Sequence, residues 1–445
     1  MTTSYTALVD AIAADISAGN LKAGERLPPQ RHFAYAKGIA ASTAARVYAE
    51  LLRRGLVVGE VGRGTFVAGK SPLPPLRVEP FDDRIDLEFN FPTVPDQAAL
   101  IARSLASWQS PEAFSAALAP VTDRRLAEAG RVSAAFFASD RWRPQAENFV
   151  FAGSGRQSIA AAVSALVPVG GRLAVEPLTY PMIKGIAARL GITLVPVVMD
   201  DEGMRPDALA KAHRSAALSA VYLQPVLHNP LGFTMSQARH DELLRVVRKL
   251  DLTIIEDRIY SFLADEPPLA AEAEERTIMV DSLSKRLAPG ISVGILHVPP
   301  QARERMAVTV RTGTWSVTSL ALAAGVRLLA DGTANEIARR KRADAHIRQA
   351  LVAECLAGYS IKTDPRSYHV WLELPEGWRA DALTMAAARA GIAITPGSRF
   401  AVAPGHSPNA VRLGLGLPVH AELRKALTRI AALLAARPEE ADVTE

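Results

Sequence analysis

Apolar residues at the start of the chain recur every four positions, which is the spacing of one face of an α-helix. The residues that carry this period are Leu8, Ile12 and Ile16. The pattern predicts a first helix that ends near Gly19, since glycine is frequent just past the end of a helix.

Two more helices are predicted before residue 56. Pro28 and Pro29 suit the entry to the second helix, and Gly38 suits its exit. The apolar side chains of Phe33 and Ala34 are expected to face inward. A third helix is predicted over the run ASTAARVYAELLRRG. The residues expected on its inner side are Val47, Leu51 and Leu52, and the residue expected to close it is Gly55.

Two short apolar runs, LVVGE and TFVAG, follow the third helix and flank the turn Gly62-Arg63-Gly64, which predicts a β-hairpin. Three short helices and a hairpin within residues 1–70 are typical of a winged helix-turn-helix domain. Residues 71–85 include the run SPLPPLRVEP, whose four prolines predict an extended and fairly stiff linker.

Between residues 86 and 437 short apolar runs alternate with longer helical stretches. The apolar runs are GGRLAVEP, LVPVVMD, SAVYLQP, LTIIED and TIMVDSLS. This alternation predicts a mostly parallel sheet covered by helices. Residues 438–445 form an acidic tail without an apolar period, and we expect this tail to be disordered.

Length, cysteine content and charge narrow the class of protein. A chain of 445 residues favours two or three domains. The single cysteine, Cys355, excludes an internal disulfide and fits a cytoplasmic setting. No stretch approaches the roughly 18 apolar residues of a membrane span, and the start of the chain does not read as a signal peptide. The net charge is +5, and residues 1–70 hold nine Lys and Arg against five Asp and Glu, which favours a polyanionic partner for this part.

The third helix is the expected recognition element. Its outer face is predicted to carry a set of polar residues at helical spacing, which are Thr43, Arg46, Glu50 and Arg53. Arg31 at the start of the second helix and Arg63 in the wing are placed to meet phosphates, while side chains that reach base edges would set sequence choice. A solvated module with surface arginines is the alternative interpretation.

Residues 1–70 resemble the GntR-type winged helix domain over its whole length. The matching features are Gly24, Arg26-Leu27-Pro28, Arg31, Thr43, Tyr48, Leu51, Gly55-Leu56-Val57 and the run from Gly62 to Val67. The resemblance implies binding to double-stranded DNA. The family usually has Ser-Arg where this chain has Ala40-Ala41, so Ser42, Thr43 and Arg46 are expected to carry more of the base readout.

The second part of the chain holds the residue types that a pyridoxal-phosphate site requires. An amine must form the Schiff base, an acid must hold the pyridine nitrogen, a ring must stack, and donors must hold the phosphate. Lys285 follows an apolar strand and is flanked by Ser282 and Ser284. Asp257 ends another strand, where open α/β sheets bind ligands, and Tyr260 follows it.

Three further segments contribute candidates. The helix that begins near Ser154 offers the amides of a candidate anion site, which are those of Ser154, Gly155, Arg156 and Gln157. Tyr180 follows the next strand and is a candidate stacking ring, and Asn229 lies in a turn bounded by prolines. Taken singly, each of these residues also fits an ordinary role, as a surface lysine, a helix cap, a core tyrosine or a turn.

In this order, residues 86–437 are similar to fold-type I aminotransferases, with a smaller C-terminal α+β subdomain. The resemblance implies that Lys285 forms the aldimine, Asp257 pairs with the pyridine nitrogen and Tyr180 stacks on the ring. It also implies that Asn229 and Tyr260 bond the ring oxygen and that Arg412 holds a substrate carboxylate as a bidentate partner.

One position departs from that family. An arginine that contacts the phosphate usually lies seven residues after the lysine, and here that position is Ser292. We take as a hypothesis that Arg286 or Arg156 replaces it. The histidines, including His213, His228 and His369, lack metal-ligand spacing, so no metal site is expected.

The two resemblances together are typical of MocR-type regulators. They imply a homodimeric transcription regulator that senses pyridoxal phosphate, an amino-acid or amine effector, or both. An active aminotransferase with an accessory DNA-binding domain is the alternative, because Lys285, Asp257 and Arg412 are all retained. A metabolic enzyme that does not bind DNA is a third possibility.

Overall fold

The protein is described by a computed structural model that covers residues 5–18, 20–22, 24–53, 56–60, 64–67, 84–403 and 407–436. It forms two compact units, Met1–Asp82 and Asp83–Glu445. Several sequence predictions fall outside the described residues. They concern Gly19, Gly55, Gly62, Arg63, the linker up to residue 83 and the acidic tail.

The first unit consists of three helices and a hairpin. These elements are α1 (Tyr5–Ala18), α2 (Gln30–Lys37), α3 (Ala41–Arg53), β1 (Val57–Glu60) and β2 (Gly64–Val67). The two strands are antiparallel, with Val57 opposite Val67 and Glu60 opposite Gly64. Helix α2 ends at Gly38, whose φ of 63° is the left-handed conformation that glycine adopts at low cost. The predicted winged helix arrangement is confirmed.

The core of this unit is formed by apolar side chains from one face of each helix. Phe33 of α2 packs edge to face against Tyr48 of α3, and the hydroxyl of Tyr48 donates to the carbonyl of Pro28. The prediction for Leu52 is wrong, since this side chain is 44% exposed. At 3.6 residues per turn Leu52 lies beyond the inward stripe, which is formed by Ala44, Val47, Tyr48 and Leu51.

The second unit contains most of the helices. They are α4 (Gln97–Ser104), α5 (Pro111–Leu118), α6 (Asp123–Phe137), α7 (Gly155–Leu166), α8 (Met182–Arg189), α9 (Pro206–Ser215), α10 (Gln237–Lys249), α11 (Leu283–Arg286), α12 (Arg303–Thr312), α13 (Ser319–Ala330), α14 (Thr333–Cys355), α15 (Ala380–Arg389) and α16 (His420–Ala435). None of the helices in the described part of the chain is long and apolar enough to cross a membrane.

The strands of this unit alternate with the helices. They are β3 (Ile85–Asp86), β4 (Phe149–Ala152), β5 (Arg172–Val175), β6 (Thr193–Pro196), β7 (Met199–Asp200), β8 (Gly203–Met204), β9 (Ala220–Leu223), β10 (Ile254–Asp257), β11 (Thr277–Ser282), β12 (Gly294–His297), β13 (Ile361–Lys362), β14 (His369–Glu373), β15 (Ile392–Ala393), β16 (Thr395–Pro396) and β17 (Ala410–Gly414).

Seven strands form the main sheet in the order β4-β12-β11-β10-β9-β5-β6. All neighbours are parallel except β12, which is antiparallel to both β11 and β4. Helices α7, α8 and α12 cover one face with apolar side chains, whereas α6, α9, α10 and α13 cover the other. The sequence prediction of a mostly parallel, helix-covered sheet is confirmed.

A second, smaller sheet lies in the C-terminal part of the chain. Its order is β13-β14-β17-β16, all antiparallel, with a separate apolar core shared with α15 and α16. Strand β3 pairs with β15, so Ile85, which the sequence assigned to the end of the linker, belongs to this subdomain. The predicted α+β subdomain is confirmed.

Candidate functional site

The candidate site lies at the edge of the main sheet where its parallel strands end. Strand β4 leads into α7, β9 leads into the turn that holds Asn229, β10 ends at Asp257, and β11 ends at Ser282. Because parallel strands place their carboxyl ends at one edge, residues far apart in the sequence meet there. Helix α11 follows β11 directly and carries Lys285.

Asp257 is held by a neighbour on the next strand. The hydroxyl of Tyr222 on β9 donates to its carboxylate at 2.6 Å, and the backbone N–H of Ile259 donates at 3.1 Å. Burial raises the pKa of Asp257 to about 6, and the hydrogen bond from Tyr222 opposes that rise. A buried carboxylate favours a cationic partner, and a pyridinium nitrogen is one.

The neighbouring acid, Glu256, faces the other side of the sheet. Its carboxylate pairs with Arg258 at 3.0 Å and accepts from the backbone N–H of Leu269. Side chains alternate along a strand, so only one of the two consecutive acids of β10 can face the site.

Tyr180 is partly buried and responds to the charges of Asp257 and Arg156. Burial raises the pKa of Tyr180 to about 12, the nearby Arg156 opposes that rise, and Asp257 adds to it. The predicted stacking ring is therefore within electrostatic reach of the predicted acid. The phenol therefore stays protonated at neutral pH.

The beginning of α7 forms a small polar cradle with the turn after β11. Ser154 caps the helix by accepting from the N–H of Gln157 at 3.3 Å. A Cβ on Gly155 would approach Ser282 Cβ to 3.0 Å and Ile259 Cδ1 to 2.7 Å, so α7 and the turn after β11 are in close contact here. Helix N-termini favour anions because their first N–H groups lack partners within the helix.

Three serine hydroxyls extend this cradle. Ser282 Oγ lies 3.0 Å from Ser284 Oγ, which lies 2.8 Å from Ser292 Oγ. Ser292, the residue that departs from the family pattern, is therefore part of the cradle. Its hydroxyl takes part in a chain of donors and acceptors but supplies no charge.

Arg286 does not join the cradle. Its guanidinium forms a buried ion pair with Asp281 at 2.7 Å and lies over the rings of Phe136, Phe137 and Phe262. The hypothesis that Arg286 replaces the missing phosphate arginine is therefore wrong, because removing it from Asp281 would leave a buried unpaired charge. Arg156, in the first turn of α7, stays the candidate for this role.

The Lys285 amine lies against a segment of the chain that precedes α4. Its Nζ donates to the carbonyl of Asn90 at 2.5 Å and lies 3.2 Å from the centre of the Phe91 ring. Burial, followed by the charges of Arg412, Arg156 and Lys341, lowers the pKa of Lys285 well below its ordinary value. The amine is thereby shifted towards its neutral, nucleophilic form.

The same segment contacts two other predicted ligand-binding side chains. Tyr260 Oη donates to the Asn90 carbonyl at 3.1 Å, and Arg412 Nη2 donates to the Glu88 carbonyl at 2.6 Å. Arg412 is 8% exposed and also approaches Thr395 Oγ1 at 3.4 Å. Burial lowers the pKa of Arg412. We call residues 88–91 the covering segment.

The buried polar atoms without a partner within the described residues include Oδ1 of Asn229, Nε of Arg412 and, in the covering segment, Oδ1 of Asn90. Such atoms are costly to bury unless a ligand completes them. Oδ1 of Asn229 would accept from the ring hydroxyl of pyridoxal phosphate, and the Nε–H of Arg412 would donate to a carboxylate. The residues present therefore fit this cofactor together with a carboxylate ligand.

The first unit carries its predicted contacts on the surface. Arg31 in the first turn of α2 and Ser42 and Arg46 on α3 are exposed, and Thr43 is partly exposed. The guanidinium of Arg46 lies over the ring of Tyr5 at 4.4 Å, a contact that the sequence pattern did not predict.

Sequence reasoning missed several functional neighbours. Tyr222 has one signal, a tyrosine within an otherwise aliphatic strand, and the register that pairs it with Ile255 places it on the face of Asp257. The carbonyls of Glu88 and Asn90 have no sequence signal at all. No group of three His, Cys, Asp or Glu side chains in the described ranges could hold a metal ion.

Comparisons with known proteins agree with this geometry. Residues 93–430 match the family described as aminotransferase class I and II, and residues 4–67 match bacterial regulatory proteins of the gntR family. The chain is 27% identical to the uncharacterised HTH-type transcriptional regulator YdeF of Bacillus subtilis, covering 93% of this chain and 90% of that protein.

Two further comparisons concern a second regulator and a solved structure. The chain is 26% identical to the vitamin B6 salvage pathway transcriptional repressor PtsJ of Salmonella typhimurium, covering 90% of this chain and 92% of PtsJ. The crystal structure of an archaeal alanine:glyoxylate aminotransferase superimposes with a TM-score of 0.71 at 22% identity, covering 88% of this chain and 94% of that one. The structural likeness concerns the fold.

Proposed function

The chain belongs to the aminotransferase class I and II family and carries a gntR-family domain before it, and from this we propose a DNA-binding transcription regulator of the MocR type. In this proposal the second unit binds pyridoxal phosphate and an amino compound, and the first unit binds double-stranded DNA as part of a homodimer. The name of PtsJ supports vitamin B6 chemistry as the signal.

Each part of the cofactor has residues that would hold it. Lys285 would supply the attaching amine, Asp257 the partner of the pyridine nitrogen, and Tyr180 the stacking ring. Asn229 and Tyr260 would bond the ring oxygen. The phosphate would bind the start of α7, and the side chains proposed there are Ser154, Arg156, Gln157, Ser282, Ser284 and Ser292. When bound, pyridoxal phosphate supplies an electrophilic aldehyde and an electron-accepting ring.

One observation carries the sensing part of the proposal. Lys285, Tyr260 and Arg412, the three side chains expected to meet cofactor and effector, donate to two carbonyls of the covering segment. This segment follows β3, the first element of the second unit after the predicted linker. Any ligand that takes over these donors changes how the covering segment is held.

The effector's carboxylate is expected to displace the Glu88 carbonyl from Arg412. A carboxylate is charged and accepts two parallel bonds from a guanidinium, whereas the Glu88 carbonyl is neutral and accepts one, so Arg412 would exchange the Glu88 carbonyl for the carboxylate. Lys285 must likewise leave the Asn90 carbonyl to hold the cofactor. An effector can shift the regulator only by binding one of these arrangements better than the other.

The test is a salt-titrated binding assay on DNA from upstream of the protein's own gene, with and without pyridoxal phosphate. We expect selective binding by the wild-type protein that responds to the cofactor, and binding without that response in Lys285→Ala. Lys184→Ala is the matched control, since the Lys184 amine also donates to backbone carbonyls, at 2.6 and 3.0 Å, within the same unit.

Weak, unselective binding that ignores the cofactor in the wild-type protein would contradict the proposal. The retained Lys285, Asp257 and Arg412 would then favour an active aminotransferase, and an assay of amino-group transfer would decide this second candidate.

A further inference from the structure

Lys341 is a wholly buried lysine directly behind the candidate site. It lies on α14, and its Nζ donates to the carbonyls of Lys285 at 2.8 Å, Arg286 at 3.1 Å and Leu287 at 2.9 Å. An ammonium group has three N–H donors, and each of them meets one of these carbonyls. The side chain is thus fully engaged with the turn that carries Lys285.

The carbonyls of this turn lie at the end of a very short helix. Helix α11 is four residues long, and the carbonyls at the end of a helix have no partners within it. A cation near a helix C-terminus is stabilising because it meets the partial negative charge of those carbonyls. Lys341 therefore fixes the backbone conformation at Lys285 itself.

The charge of Lys341 also acts on the Lys285 amine. The pKa of Lys341 is lowered to about 7, mainly by burial and also by the neighbouring Arg286, while Asp344 opposes the shift. Asp344 itself accepts from Tyr368 and Arg348, and it bonds the His420 ring. The centre of the Phe262 ring lies 5.9 Å from the ammonium. A cation in these surroundings disfavours a second cation at Lys285.

We propose that Lys341 is a positioning residue, which fixes the turn at Lys285 and helps to present the Lys285 amine to the site in its uncharged form. The inference rests on the proposed role of Lys285 as the lysine that holds the cofactor. It adds a residue that touches neither cofactor nor effector.

The test measures the amine directly in full-length protein without cofactor. Acetic anhydride labels neutral amines, so the labelling of Lys285 over a pH series, read by peptide mass spectrometry, gives its apparent pKa. We expect Lys341→Met to raise that pKa by about one unit. Since fewer amines are then neutral at pH 7, pyridoxal phosphate trapped on Lys285 with borohydride should accumulate about tenfold more slowly. Lys341→Arg keeps the charge and should restore the labelling profile.

Gln349→Met is the matched control. Gln349 is also buried on α14 and donates to Thr363 and to the carbonyl of Ser367, away from the Lys285 turn. We expect this variant to lose stability without moving the labelling profile of Lys285. A purely structural role of Lys341 would make the two methionine variants behave alike.

The proposal is overturned if folded Lys341→Met labels and traps cofactor like the wild-type protein. If that variant does not fold, Lys341→Gln, which keeps two donors without charge, is judged by the same pKa shift. The labelling of the wild-type protein is a separate test that requires no variant. An ordinary lysine pKa at Lys285 in that protein would also overturn the inference. A wild-type protein that traps no cofactor would instead contradict the proposed function, whatever its labelling profile.

Discussion

The two units place their charged groups in opposite surroundings. In the first unit Arg31 and Arg46 are exposed on helix surfaces, where they can meet a charged polymer in water. In the second unit Asp257 and Arg412 are buried, and their neighbours are hydrogen-bond donors and acceptors of the same unit. Exposed charges attract a charged partner, and salt weakens that attraction. Buried charges are desolvated, which shifts their pKa values and makes stability depend on pH.

This difference explains why the two kinds of site affect folding differently. Removing an exposed arginine costs little stability because water solvates the site before and after the change. Removing a buried charge changes stability strongly, and the sign depends on whether the charge was paired. A functional group in the second unit is therefore expected to lower the stability of the ligand-free protein, while one in the first unit is not.

The largest expected effect that would sharpen this comparison concerns Asp257. We expect Asp257→Asn to weaken pyridoxal-phosphate binding roughly 100-fold, the upper range for a hydrogen bond to a charged group. The folded pKa of about 6 lies above the ordinary 3.8, so the unfolded chain releases this proton first and stability falls as pH rises from 4 to 6. The substitution should therefore stabilise the ligand-free protein at pH 7 by up to about 3 kcal/mol.

Cofactor titration and urea unfolding at pH 5 and pH 7.5 measure both effects. Asp281→Asn is the matched comparison, because Asp281 is equally buried but paired with Arg286. Its removal leaves an unpaired guanidinium and should destabilise the protein. A loss of stability in both variants would contradict the expectation that the buried charge of Asp257 destabilises the ligand-free protein.

A second effect, with the opposite pH dependence, concerns buried histidines. Burial lowers the pKa of His297 to about 4, and it lowers that of His369 to about 3. The unfolded chain therefore binds these protons first, and stability falls as pH drops below about 6.5. His297 packs against Trp142 and Phe149, so His297→Phe should remove about 3 kcal/mol of this acid destabilisation.

Thermal or urea unfolding between pH 7.5 and pH 4 checks this result. His346→Phe is the control, since it makes the same substitution at an exposed position of α14. An unchanged pH dependence in His297→Phe would show that burial of this ring does not control acid stability.

The smallest effect concerns the exposed charge of the first unit. We expect Arg31→Ala to weaken DNA binding about tenfold across sequences and to reduce the slope of log affinity against log salt by about one. The pH dependence of unfolding should not change. Arg214→Ala removes the same exposed charge from α9 of the second unit and should leave DNA binding unchanged. Equal losses in the two variants would mean that only net charge matters.

Much of the fold could be predicted because its signals are local. Apolar period, glycine and proline positions predict the three helices and hairpin of the first unit, and the short apolar runs predict the strands of the main sheet. The apolar period predicted the wrong side for Leu52, which lies just beyond the buried stripe of α3 and is exposed.

In the candidate site, too, some residues could be predicted from the sequence and others could not. Lys285, Asp257, Tyr180, Asn229 and Arg412 could be proposed from their order along the chain and from the family that this order resembles. Arg286 could not be judged in that manner, because its partner Asp281 and the aromatic rings around it are decided by packing.

The sequence by itself determined the two kinds of domain, the order of their elements and the residue types available for chemistry. Only the tertiary structure decided three hydrogen bonds: from Tyr222 to Asp257, from Lys341 to the carbonyl of Lys285, and from Arg412 to the carbonyl of Glu88. These partners lie 35, 56 and 324 residues apart in the chain. Hydrophobic period reports on neighbours within a few residues, whereas such contacts depend on strand order and on where each element packs.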